Sequence, residues 1–220
     1  VRVNVLETLK EFNAKLLKSI QKSNLKVEYC NRAKLDKIAN TTHHNGVAVK
    51  VSEIETYSIE QIVSRAKKPG LLVALDGIQD PHNVGAILRT CDAIGVDGVI
   101  IGKNRSVGLN GTVAKVSTGA IDHVKVAQVT NLTRTLEDLK KRSFWVVGCD
   151  LDKSQDYRQV DYNMPLVIVI GSEGFGISRL VKKSCDINVV LPMVGHVNSL
   201  NASVATAVIL YQVYNSRNPL

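Results

Sequence analysis

The chain has 220 residues, is 45% apolar and carries a net charge of +8 with a pI near 9.3, room for one medium domain plus a small one. No apolar run approaches the ~20 residues that span a bilayer, and no secretory signal is visible, although a targeting segment lost ahead of Val1 stays open. Cys30, Cys91, Cys149 and Cys185 are far apart with no CxxC pair, which excludes a zinc ribbon and points to reduced thiols.

The charge is uneven. Residues 1–50 hold ten Lys/Arg against four Asp/Glu, so six of the eight net charges lie there. Nucleic acid is the common partner of such asymmetry, and a solvated lysine-rich surface is the alternative. Within this stretch, Leu6, Leu9, Phe12, Leu16 and Ile20 predict an amphipathic helix over residues 4–22. A strand at Lys26–Cys30, a helix at Asn31–Ala39 and a strand at Gly46–Val51 complete a small α/β unit, residues 1–51. Residues 52–70 read as a linker with a helix near Ser58–Ala66, stopped by Pro69-Gly70.

From residue 71 to 220, apolar runs alternate with helical patterns. Strands are predicted at Leu71–Leu75, Gly98–Ile101, Val124–Gln128, Phe144–Gly148, Leu166–Ile170 and Ile187–Leu191. Helices are predicted near Val84–Ile94, Leu132–Arg142, Ser178–Lys183 and Ser199–Tyr214. The runs are continuous rather than alternating, the mark of a mostly parallel sheet with helices on both faces. Such α/β sheets bind ligands beyond the carboxyl ends of their strands.

Three glycine-punctuated turns fall at those ends: Leu71–Thr90, Leu166–Ser178 and Val189–Thr206. Their converging would make one site. In the first, Asn83 reads as a helix N-cap, and Arg89, nearly two helical turns on, as a residue on the same face or edge. In the second, Gly171-Ser-Glu-Gly-Phe-Gly176 fits neither dinucleotide nor P-loop spacing, and Glu173 would repel a phosphate. A carboxylate in a glycine cradle suits a neutral or cationic ligand, or a hydroxyl to be oriented; an exposed glutamate on a glycine turn is the bland alternative. In the third, Ser199 and Asn201 open a helix of small residues. That helix carries an apolar stripe through Leu200, Val204, Val208 and Tyr211, read equally as core or as an interface. Asp150-Leu-Asp152 reads as a pocket wall or an acidic turn. The histidines show no zinc spacing, so no metal is expected.

These motifs resemble the SpoU (TrmH-type) RNA 2′-O-ribose methyltransferases of the SPOUT superfamily: DPHNVGAILRT matches motif one, VIGSEGFGIS motif two and LPMVGHVNSLNASVATAVILYQ motif three. Residues 1–51 resemble the latter part of a ribosomal-protein-like substrate-binding domain. Within the family the likeness runs to the branch that methylates a guanosine of large-subunit ribosomal RNA, in particular the yeast-type mitochondrial enzymes. A mitochondrial location follows, with the cytoplasm of a bacterium as the alternative.

The resemblance implies a carboxyl-terminal trefoil knot, a homodimer and S-adenosylmethionine (SAM) as cofactor. It places Gly148, Gly171, Leu191 and Leu200 at the cofactor and Arg89, Asn83, Glu173, Ser199 and Asn201 in the catalytic set. Asn83 would hold Arg89. The reaction implied is attack of a ribose 2′-oxygen on the sulfonium methyl. Family proposals make the arginine a general base; a guanidinium, protonated across the ordinary pH range, suits a clamp on the target phosphate better, with a transient base role as the alternative.

Overall fold

The computed structural model describes residues 2–8, 18, 22, 26–50, 54–150 and 154–219, in two compact units that divide between Ile54 and Glu55. In the first unit a three-stranded sheet has β1 (Arg2–Leu6) between β2 (Lys26–Cys30), parallel to it, and β3 (Val47–Lys50), antiparallel to it. Asn4–Leu6 are therefore strand, not the start of the expected helix. Val3 and Val5 alternate with polar residues, a period of two that buries both valines. Leu9, Phe12, Leu16 and Ile20 lie outside the described residues. Helix α1 (Arg32–Ala39) is capped by the Asn31 side chain, which accepts from Lys34 N at 2.9 Å. His44 accepts from Gly46 N through Nδ1 (2.9 Å) and reaches Asp36 Oδ1 through Nε2 (2.8 Å), so it fastens the loop before β3.

The second unit begins with α2 (Ile59–Val63), closed at its start by a reciprocal Ser58–Gln61 capping box. Ile62 on this short helix is buried in the main core, so residues 55–70 are built into the second unit.

Seven strands follow: β4 (Leu71–Asp76), β5 (Gly98–Gly102), β6 (Val126–Val129), β7 (Trp145–Cys149), β8 (Gln155–Asp156), β9 (Leu166–Gly171) and β10 (Ile187–Val190). They form one sheet in the order β6-β5-β4-β9-β7-β10-β8, every neighbouring pair parallel. The continuous apolar runs are explained by burial on both faces. Leu72, Ala74, Val167 and Val169 pack with Leu132, Leu136 and Leu139 of α5 (Leu132–Lys140) and Val181 of α6 (Arg179–Ser184). Residues of the other parity, such as Val73, Leu75, Ile168 and Ile170, are just as buried. Helices α3 (Pro81–Ile94) and α7 (Ala202–Arg217) pack on each other, and touch β5 and β9 respectively.

Two features fix these helices. Helix α4 (Gly111–Ser117) packs against α3 at Gly85, where even a Cβ would lie 2.6 Å from the Val116 side chain. At the far end of α7, the Arg217 guanidinium donates to four carbonyls: Tyr162 (2.9 Å), Pro69 (2.8 Å), Gly70 (3.3 Å) and Met164 (2.7 Å). Burial lowers its pKa, with Asp97 pulling the other way.

Candidate active site

The first turn follows β4. Asp80, not Asn83, caps α3: its carboxylate accepts from His82 N at 2.8 Å, and Pro81 occupies the first helical position. Asn83 is thereby carried inside the helix and buried. Its side chain does not hold Arg89. Six residues at 3.6 per turn leave the two ~120° apart around the axis. Arg89 is exposed and, among the described residues, has no hydrogen-bond or ion-pair partner.

Asn83 reaches the other two turns instead. Its Nδ2 donates to Glu173 Oε1 at 3.0 Å, and its Oδ1 accepts from Asn201 Nδ2 at 2.9 Å. Asn201 Nδ2 also donates to Glu173 Oε1, and Ala202 N adds a donor to the same oxygen at 3.2 Å. Asn201 is the N-cap of α7: its Oδ1 accepts from Ser203 N (2.9 Å) and Val204 N (3.3 Å). The helix expected from Ser199 thus starts three residues later, because Asn201 satisfies its first donors. One carboxylate oxygen and two amides therefore tie together segments from three distant parts of the chain.

Beside this knot of bonds lies a cavity of about 390 Å³. Gly171, Glu173, Leu191, Ser199 and Leu200 line it, as does Asp150, whose carboxylate pairs with Lys182 Nζ at 2.9 Å. Sequence reasoning missed Cys149, signalled only by its place at the end of β7; Val189, Val190 and Met193 fell within the third turn but were not singled out. The Cys149 thiol is pushed up to about 11, first by burial and then by Asp150 beside it.

Gly148 is not in the lining. It sits within β7, where an added Cβ would meet Cys185 Sγ at 2.7 Å and Asn188 Oδ1 at 2.8 Å, so its smallness serves packing. Gly171 lines the cavity, yet a Cβ there would strike its own chain: Gly176 C at 2.1 Å and Ile177 N at 2.3 Å. The turn folds back on itself through Ser172 N to Gly176 O (3.0 Å) and Gly176 N to Ser172 O (2.9 Å). It carries Phe175 at its tip, 94% exposed.

The profile of the SpoU rRNA methylase family matches residues 70–211, the span that holds all three turns. The chain belongs to the SpoU/TrmH family of RNA methyltransferases. A second profile, RNA 2′-O ribose methyltransferase substrate binding, matches residues 1–57 of this family member. A Staphylococcus haemolyticus protein assigned to the TrmH family of tRNA/rRNA methyltransferases is 52% identical over 206 residues, covering 92% of this chain and 82% of that one. YacO of Bacillus subtilis, assigned likewise, is 46% identical and covers 97% and 86%. These relatives are bacterial; the likeness to the yeast-type mitochondrial enzymes and the mitochondrial location are not supported.

Among solved structures, the SpoU methyltransferase AviRb of Streptomyces viridochromogenes shares the fold at a TM-score of 0.79 and 24% identity, covering 98% of this chain and 82% of its own. It was crystallised with AdoMet. The A. aeolicus TrmH/SpoU tRNA modifying enzyme is 33% identical, with a TM-score of 0.63 over 72% of this SpoU/TrmH chain and 80% of its own.

Proposed function

We propose that this family member transfers the methyl group of SAM to the ribose 2′-hydroxyl of a guanosine in large-subunit ribosomal RNA, in the bacterial cytoplasm. A tRNA nucleotide is the second reading, because the bacterial relatives carry both substrates in their names. The observation that carries the proposal is the Asn83–Glu173–Asn201 set of bonds, which holds three turns around one cavity.

The cavity suits SAM on its own chemistry. Its volume is in the range of small-ligand sites. Ile170, Val189, Leu191 and Leu200 offer apolar walls for an aromatic base, and Asp150 offers a carboxylate to hydroxyls or an ammonium. Bound there, SAM supplies an electrophilic methyl group. The protein's own residues then bind and orient. Glu173 fixes the start of α7 and the second turn; Asn201 and Ser199 position ribose or cofactor; Arg89, exposed and unpaired among the described residues, clamps the target phosphate. A hydroxyl is a weak nucleophile, so alignment carries most of the rate.

Residues 1–57 present the substrate: their family match and the positive charge of residues 1–50 support an RNA-gripping role. The chain carries a carboxyl-terminal trefoil knot in this reading, which rests on the family membership; the insertion of β9 between the earlier strands β4 and β7 is compatible with it. It works as a homodimer, supported by the stripe Val204, Tyr211 and Tyr214, exposed on α7.

The test incubates the protein with labelled SAM and separate large-subunit rRNA and tRNA, followed by nuclease digestion and nucleoside mass spectrometry. The expected product is 2′-O-methylguanosine from rRNA. Label confined to tRNA moves the assignment to the second reading. No label in either RNA, with no SAM binding by calorimetry, overturns both.

A further inference from the structure

The carboxyl edge of the seven-stranded sheet has a second cavity, of about 200 Å³, between the ends of β4, β5 and β6 and the starts of α5 and α6. Gly77, Gly102, Arg105, Ser106 and Asn131 are among its lining residues. It is a separate space from the SAM cavity, yet it adjoins it. Asp76 lines the second cavity and is the ladder partner of Gly171, which lines the first, so one strand spacing of ~4.8 Å separates them.

One cation lines this space, and three more lie beside its lining in sequence. Arg105 lines it, while Lys103, Arg134 and Arg179 are each next in sequence to a lining residue. All four are exposed, and among the described residues none is in an ion pair. Lys140, Lys141, Arg142, Arg158 and Lys182 of this unit have carboxylate partners, whereas Arg89 and Lys115, like the four cations at this cavity, are in no ion pair among the described residues. The lining carboxylate, Asp76, opposes an anion; its Oδ2 accepts from Ser178 N at 2.7 Å, so the cations must outweigh it.

Two further observations point to an anionic ligand. Ser106 Oγ is buried with no hydrogen-bond partner, and a hydroxyl left so is costly unless something accepts from it. The nine-residue helix α5 also starts at the cavity, with Asn131 and Thr133 in its lining, and a helix N-terminus favours negative charge. Arg105 itself is held at φ 61°, a left-handed conformation uncommon for a residue with a side chain.

The geometry points to a second RNA subsite: this cavity takes a phosphodiester of the substrate strand, next to the nucleotide whose ribose is methylated. The inference rests on the function proposed above. An RNA backbone fits better than a small free anion, because Lys103, Arg134 and Arg179 lie beside the lining in sequence rather than in it, and the Asp76–Gly171 pair joins this cavity to the first. A strand with its target ribose at Asn83–Glu173–Asn201 would carry a flanking phosphate across the Asp76–Gly171 pair to Arg105.

The experiment measures RNA affinity against salt for the whole protein and for Arg105→Ala, Arg179→Ala and Lys115→Ala. Lys115 is an exposed cation on α4, outside the lining of the cavity. Losing one phosphate contact should shallow the log–log slope by ~0.7–0.9 in Arg105→Ala and Arg179→Ala, with no change in Lys115→Ala. SAM affinity by calorimetry should stay that of the unmodified protein in all three. Unchanged slopes in the two arginine variants overturn the subsite. So does an equal fall in all three, which would mean a diffuse positive field. If the unmodified protein methylates no RNA, the proposed function fails; the salt slopes still decide the subsite.

Discussion

Replacing Asn83 with alanine removes two side-chain hydrogen bonds at once, from Nδ2 to Glu173 and from Asn201 to Oδ1. Asn83 is 6% exposed, so water is poorly placed to replace them. A neutral hydrogen bond contributes about 1 kcal/mol net, and one to a charged group about 1.5–3 kcal/mol. Glu173 is exposed, which favours the low end for its bond. Together these give a loss of about 2.5 kcal/mol, and the bonds span α3, the turn after β9 and the start of α7. Urea unfolding of Asn83→Ala should show a loss of about 2–3 kcal/mol. Methyl transfer should fall at least tenfold, since about 1.4 kcal/mol of lost positioning already corresponds to that factor. Asn201→Ala in a double-mutant cycle should couple to it by about 1 kcal/mol. A loss under about 0.5 kcal/mol, or strict additivity of the two changes, would refute the idea that this set holds the three turns together.

Gly171→Val should unfold the second turn rather than selectively block SAM, because the added Cβ meets the Gly176–Ile177 backbone; a variant with an unaltered melting temperature would contradict this. Cys149 should resist iodoacetamide at pH 8 although it lines the cavity. With its thiol pushed up to about 11, only roughly 0.1% is thiolate there, and labelling should turn rapid on unfolding; fast labelling of the native protein refutes the shift. Arg89→Ala should abolish methyl transfer and leave the melting temperature unchanged, since the side chain is exposed and unpaired among the described residues; full activity with labelled SAM removes it from the site. Tyr211→Glu should dissociate the proposed homodimer, read by light scattering, because Tyr211 is half-exposed on α7; an active monomer of unmodified protein rules the dimer out.

The second unit was legible in the sequence because its central strands are covered on both faces, which leaves an unbroken apolar run such as Leu71–Leu75 or Leu166–Ile170. Two short elements escaped, α4 and β8, although the similarly short α2 and α6 were expected. Helix α4 spans only Gly111–Ser117, and its one clear signal is Asn110, whose side chain accepts from Thr112 N and Val113 N. β1 was misread because Val3 and Val5 carry too short a strand period to stand against the helical spacing that starts at Leu6. In the site, the residue types were readable and their partners were not. Pro81 could have identified Asp80 as the cap and released Asn83 for other work. No local pattern could have told that Asn83 meets residues 90 and 118 positions away. Gly148 and Gly171 looked like ligand-facing glycines, but the demand on both comes from neighbouring protein atoms.

The Arg217 guanidinium also sets an order of events during synthesis. Its four acceptors lie 53 to 148 residues earlier in the chain. A nascent chain carries those carbonyls of Pro69, Gly70, Tyr162 and Met164 without this partner until the last turn of α7 has been translated. The clasp therefore closes only after every strand of the sheet has been made, and a nonsense codon at residue 217 would remove it while all seven strands and α7 up to residue 216 are still encoded.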